Sequence, residues 1–122
     1  MELIEEELTE KIIGACMEVS NELGCGFLET VYEKALLMVL AAQGIEATSQ
    51  VRLEVRFRGQ VVGEFQPDIL VEDRVIVEIK AVRLLAPEHE AQLINYLRAT
   101  GIKVGLLVNF GRKRLNWKRF VF

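Results

Sequence analysis

The stretch Pro67-Asp68-Ile69-Leu70-Val71-Glu72-Asp73-Arg74-Val75-Ile76-Val77-Glu78-Ile79-Lys80 decides how this chain is read. Its flanks are runs of branched apolar residues and its middle, Glu72-Asp73-Arg74, is polar, the pattern of two strands joined by a tight turn. The hairpin carries charge where a core strand should carry none, at Asp68, Glu78 and Lys80. Register decides whether those charges meet. With a three-residue loop, Val71 pairs with Val75 and Asp68 falls opposite Glu78 on one face; a two-residue loop would put the two acids on opposite faces. Side chains alternate along a strand, so Lys80 shares the face of Glu78, about 7 Å along. Ile79 points into the core and leaves its carbonyl at the sheet edge, within reach of a cation.

Two carboxylates within about 5 Å repel, and one of them holds a proton unless a cation sits between them. Mg²⁺ answers that need, since it takes one or two carboxylates with waters and substrate phosphate; Mn²⁺ is the natural substitute. A metal held by Asp68, Glu78 and the Ile79 carbonyl would acidify a bound water, with Lys80 placed to steer that water or to stabilise charge on a phosphate. Taken alone, these residues also fit a surface hairpin with a strand-edge Glu/Lys pair.

Two further strings flank the hairpin. Gly26-Phe27-Leu28-Glu29-Thr30-Val31-Tyr32 reads G-x-x-E-x-x-Y, and Gln92-Leu93-Ile94-Asn95-Tyr96 reads Q-x-x-x-Y on a helical segment. With these, with His89-Glu90-Ala91-Gln92 and with Gly105-Leu106-Leu107-Val108-Asn109-Phe110-Gly111, the chain from about Leu8 onward resembles the GxxExxY family, placed in the PD-(D/E)XK nuclease superfamily. The resemblance implies that Asp68 and Glu78 are the metal carboxylates and Lys80 the catalytic lysine. It further implies that Glu29 is an additional acid from the first helical layer, and that Gln92 and Tyr96 form the helix motif of exonuclease-like branches. His89, otherwise a surface or hydrogen-bonded structural residue, is drawn by the resemblance towards the edge of the site.

At 122 residues and 51% hydrophobic, the chain is expected to form one domain over 1–122 that buries about two-thirds of its unfolded surface. No run of about 18 apolar residues exists, and the acidic start Met1-Glu2-Leu3-Ile4-Glu5-Glu6-Glu7 is the opposite of a signal peptide, so no membrane and a cytoplasmic location are expected. Cys16 and Cys25 lack C-x-x-C spacing, which argues for buried free thiols rather than zinc. Charge is uneven. Residues 1–50 hold two Lys and ten Glu, a net −8, while residues 51–122 hold thirteen Lys/Arg and eight Asp/Glu, a net +5. Arg52, Arg56 and Arg58 line one face of a strand, interrupted by Glu54, and Arg112, Lys113, Arg114, Lys118 and Arg119 crowd the end of the chain around Trp117. Such groups suit a phosphate backbone; equally they suit a solvated sheet face and a charge-protected edge.

Periodicity places a first helix through Leu8, Ile12, Cys16, Val19 and Leu23, and a second from about Leu28 to Gln43 with Val31, Ala35, Leu36, Val39 and Leu40 buried. Glu29 suits the first turn of that helix on dipole grounds alone, and Tyr32 reads as a packing residue with an anchored hydroxyl. Strands at about 50–58, 61–71 and 74–82 follow, with a bulge expected at Gly63. Pro87 opens a third helix that ends at Gly101 and puts His89, Gln92 and Tyr96 on one face. Residues 103–110 read as a buried strand reached by a right-handed crossover.

The expected architecture is an α/β, restriction-endonuclease-like fold: a mixed central sheet with an antiparallel meander, a crossover helix, and N-terminal helices on the sheet. The expected activity is Mg²⁺-dependent hydrolysis of nucleic-acid phosphodiesters, with DNA as the first choice of substrate. Asp68, Glu78, Lys80, Glu29 and Gln92 would serve the chemistry, and Tyr96, His89, Arg52, Arg56 and Arg58 would hold the substrate. A homodimer would be needed to cut both strands of a duplex. The competing reading is a non-catalytic module that binds nucleic acid or a protein partner on the same fold, the acidic N-terminal half favouring a protein.

Overall fold

The computed structural model describes residues 4–122; Met1 to Leu3, the start of the acidic N-terminal run, lie outside the described residues. Two helices come first, α1 (Glu6–Leu23) and α2 (Glu29–Ala42), followed by β1 (Ala47–Ser49), β2 (Leu53–Phe57), β3 (Gln60–Phe65), β4 (Ile69–Val71) and β5 (Val75–Lys80). The chain then continues through α3 (Pro87–Thr100), β6 (Val104–Asn109) and β7 (Asn116–Val121). A five-stranded sheet has the order β1-β4-β5-β6-β7, and β2 with β3 forms a separate two-stranded sheet. β5 and β6 pair in parallel across the α3 crossover; every other pair in the large sheet is antiparallel.

The central strands are apolar on both faces because helices cover both. Val75, Val77, Ile79, Leu106 and Val108 pack with α1 and α2 through Ile12, Cys16, Tyr32, Leu36 and Leu40. On the opposite face Leu70, Ile76 and Leu107 meet Leu93 and Leu97 of α3. That helix comes close enough that a Cβ on Gly105 would lie 2.8 Å from Leu93 Cδ1, tighter than real packing allows. In α2 the expected stripe holds at Leu36 and Leu40, while Val31 is exposed. Tyr32 is fully buried, stacks on Phe110 with ring centroids 4.6 Å apart, and anchors its hydroxyl by donating to the Gly24 carbonyl at 2.8 Å. Cys16 is buried, which pushes its thiol up to about 12; Cys25 lies exposed between the helices.

The antiparallel part of the sheet differs from a simple three-stranded meander. The expected strand at 50–58 forms only as β2, while an unexpected strand, β1, precedes it, the two parted at Gln50, whose φ of 55° turns the chain out of the sheet; the one expected at 61–71 divides at Pro67, which has no N–H for a ladder. β1, β4 and β5 form the meander, with the β2–β3 hairpin inserted and turned away. The two break points touch, since the Gln50 N–H donates to the Asp68 carbonyl at 3.2 Å. Gly63 does adjoin a bulge, where Val55 pairs with Gly63 but Arg56 with Val61, leaving Val62 as the extra residue. Exposure of Asp68 comes from the break at Pro67 instead.

Candidate metal-binding active site

The loop of the β4–β5 hairpin has three residues. Val71 pairs with Val75, the Arg74 N–H donates to the Val71 carbonyl at 2.9 Å, and Glu72 and Asp73 take positive φ. Ile69 therefore pairs with Val77, and Asp68 stands opposite Glu78. The acids converge: the Asp68 N–H donates to Glu78 Oε1 at 3.3 Å, and the Ile79 N–H donates to Asp68 Oδ2 at 2.7 Å.

β4 and β1 stop short of this level, so the edge of β5 beyond Val77 is free for side chains. Within a strand a residue's N–H and C=O point to the same edge. The Ile79 N–H faces Asp68, and the Ile79 carbonyl shares that edge. Two residues on, the Ala81 N–H points the same way and donates to Glu29 Oε2 at 3.3 Å. Glu29, in the first turn of α2, thus reaches the same edge of β5 that Asp68 occupies, two residues further along. Lys80, half-buried, lies on the face of Glu78 by strand alternation.

Electrostatics match the geometry. Burial, followed by the neighbouring Asp68 carboxylate, pushes Glu78 up to about 8, with Lys80 pulling the other way. Tyr96 is raised as well, by burial and then by the charges of Glu78 and Asp68, which places its phenol within their field. Its ring stacks on Phe65 with centroids 4.0 Å apart, fixing α3 to the β2–β3 hairpin beside the site. A desolvated carboxyl held against a second one is the environment a divalent cation neutralises. Among the described residues no three His, Cys, Asp or Glu side chains form a group able to hold a metal on their own. Asp68, Glu78 and the Ile79 carbonyl make a smaller oxygen set, which suits an ion that retains several waters.

The remaining expected residues spread outward. Gln92 is exposed on α3, one turn before Tyr96. His89 closes the first turn of α3, with Nδ1 accepting the Ala86 N–H at 3.0 Å. Arg52, Arg56 and Arg58 lie on the hairpin and are already engaged: Arg52 with Glu64 at 3.7 Å, Arg56 with Glu54 at 2.7 Å, and Arg58 over the Phe57 ring at 4.9 Å. Two residues of the site's surroundings escaped the sequence reading. Glu33, buried one turn after Glu29, accepts from Gln50 Nε2 at 3.2 Å and is raised by burial and, secondarily, by the charges of Asp68 and Glu29. Its i+4 spacing from Glu29 was the available signal. Asn109 is buried at the end of β6, where Oδ1 accepts the N–H groups of Val82 and Gly111 and Nδ2 donates to the Val82 carbonyl.

No match was found among curated protein sequences. Among solved structures the fold is similar to the crystal structure of SSO0001, with a TM-score of 0.61 and 24% identity; the match covers 96% of this chain and 59% of that one. The sequence profile of the PD-(D/E)XK nuclease superfamily, whose members are generally divalent-metal dependent, matches residues 6–120. The match spans both helical layers, the acidic hairpin and the parallel strand pair, and on that extent the chain belongs to the PD-(D/E)XK nuclease superfamily.

Proposed function

We propose that this chain is a metal-dependent nuclease of the GxxExxY family, acting as a single cytoplasmic domain that hydrolyses phosphodiester bonds in nucleic acid, DNA first. One observation carries the reading: Asp68 and Glu78 converge at the open edge of β5, beside the Ile79 carbonyl and on the face of Lys80. Asp68, Glu78 and that carbonyl would hold Mg²⁺, or Mn²⁺ in its place. When bound, the ion supplies a more acidic water and a polarised phosphate.

The chain's own groups do the rest. Lys80 holds the attacking water by donating to it, or offsets the charge that builds on the non-bridging phosphate oxygens. Water oxygen bonds to phosphorus as the bond to the leaving sugar oxygen breaks, and the water's proton ends on that leaving oxygen or in solvent. Glu29, tied to the Ala81 N–H, fixes the segment following Lys80. Gln92 and Tyr96, on the α3 face beside the acids, position the strand being cut, with His89 at the edge of that surface. Arg52, Arg56 and Arg58 contribute less, because substrate must compete with Glu64, Glu54 and Phe57 for them.

The test is a panel of labelled single-stranded, duplex and branched DNA and RNA, incubated with Mg²⁺, Mn²⁺ or EDTA beside Glu78→Ala and Lys80→Ala. Cleavage that requires the metal and disappears in both variants is expected. Cleavage surviving equally in the variants defeats this assignment, and binding without cleavage points to a non-catalytic module. A homodimer would follow from paired cuts in duplex, with light scattering as its check.

A further inference from the structure

Several cations of the basic half already have partners and, among the described residues, others do not; of the latter, Lys103 stands at the far end of β6. The hairpin arginines are engaged as described above, and Lys118 on β7 pairs with Glu90 at 2.7 Å. Arg83, Arg112, Lys113 and Arg114 are exposed and, among the described residues, form no ion pair.

The fold gathers these four beside the site. β5 and β6 run parallel and Lys80 pairs with Asn109, so the loops that follow them leave from one end of the sheet. Those loops are fastened together. The Phe110 N–H donates to the Lys80 carbonyl at 2.8 Å, and the Asn109 amide bonds Val82 on both its N–H and its carbonyl while also accepting the Gly111 N–H. Gly111 has no space for a side chain, because a Cβ there would overlap the Val82 backbone. Arg83 and Arg112 each follow a residue of this clamp, and Arg112, Lys113 and Arg114 help line a hollow of about 460 Å³. In a parallel sheet the carboxyl ends of the strands are where ligands bind.

We infer that the loops after β5 and β6 form a cationic rim that grips the phosphate backbone of the nucleic-acid strand next to the phosphate being cut. Three consecutive residues reach at most about 10 Å, and in this bent segment their long side chains extend that reach to about two or three phosphates of one strand. Unpaired charges at that spacing repel one another, and a polyanion relieves the repulsion where a single small anion relieves only part. The inference takes its ligand from the nuclease reading of the site, yet it is testable without cleavage.

The experiment measures binding of fluorescent single-stranded and duplex DNA in EDTA, across roughly 50 to 200 mM salt. Proteins compared are wild type, the loop triple Arg112→Gln/Lys113→Gln/Arg114→Gln, Arg83→Gln alone, and the hairpin triple Arg52→Gln/Arg56→Gln/Arg58→Gln, each checked for folding by circular dichroism. The loop triple should weaken binding by about tenfold or more and lower the slope of log affinity against log salt by about 2 to 3; Arg83→Gln should lower it by about 1, and the hairpin triple by less than about 1. The rim is refuted by an unchanged slope in a folded loop triple, by a larger loss in the hairpin triple, or by a wild type that binds no nucleic acid. Cleavage by wild type with an unchanged slope in the loop triple removes the rim alone. A lost slope with no cleavage of any substrate by wild type removes the nuclease reading alone.

Discussion

The two halves of β5 are built alike and serve opposite ends. Val75, Ile76 and Val77 have neighbours on both edges, β4 and β6, and are fully buried under helices on both faces. Glu78, Ile79 and Lys80 keep only β6, because β4 does not extend past Pro67. The freed edge exposes the Ile79 and Ala81 N–H groups, and these are taken by the carboxylates of Asp68 and Glu29. Ending one neighbouring strand a few residues early turns the end of a core strand into a candidate site, and the core half supplies the rigidity that a metal-binding half would require.

The largest effect that tests this division is on cleavage. Glu78→Gln should lower the metal-dependent rate about 10³-fold and Lys80→Ala about 10²-fold, with the fold intact by circular dichroism. Two residues away the consequence should be of the other kind. Ile76→Ala, which opens a void against Leu93 and Leu97, should cost about 2–5 kcal/mol in chemical denaturation yet leave the rate per folded molecule within about threefold. A rate collapse in folded Ile76→Ala would erase the distinction between the halves.

The division was largely legible in the sequence because it rests on local rules. A three-residue polar loop fixes the register, and the period of two fixes which charges share a face; from those alone Asp68, Glu78 and Lys80 fall together. Glu29 was legible only through the G-x-x-E-x-x-Y string, since its bond to Ala81 depends on how α2 lies over the sheet edge, a contact 52 residues apart. The separation of the β2–β3 hairpin was not read, because its first break uses Gln50 in a left-handed conformation that composition does not announce, and its second sits inside what looks like one strand at Pro67. The pairing of the hairpin arginines was hidden for the same reason, since it depends on how the hairpin folds back on itself. Glu33 offered only its i+4 spacing from Glu29, and Asn109 acts through non-local burial that no spacing rule supplies.

Metal-free stability should carry the mark of the charged half. Glu78 has a folded value of about 8 against an ordinary 4.5, so the folded protein keeps a proton that the unfolded chain releases. Between about pH 4.5 and 8 the unfolded state binds fewer protons, and the contribution is full below the lower value and lost as pH rises through the upper one. In EDTA, the difference in stability between wild type and Glu78→Gln should therefore move against wild type from pH 5.5 to 8.5, by on the order of 1–3 kcal/mol. Mg²⁺ favours the ionised carboxylate, so its addition should stabilise wild type more at the high end of that range. Thermal melts in the four combinations check both signs; a flat difference across pH would mean that Glu78 is solvated and the site is not desolvated as described.

The smallest effect marks the outer limit of the site. Glu33 stands one turn beyond Glu29, raised by its burial and then by Asp68, with Gln50 as its donor. A glutamine there keeps the shape of the side chain and an oxygen for Gln50, so Glu33→Gln should change stability at pH 7 by only a few tenths of a kcal/mol. Cleavage should stay within about threefold of wild type, because the charges that meet at the β5 edge are Asp68 and Glu78 and the brace is Glu29. Should Glu33→Gln instead cut the rate by about a hundredfold without destabilising the protein, the ionised form of Glu33 is required, and the chemistry extends along α2 rather than stopping where the strand edge ends.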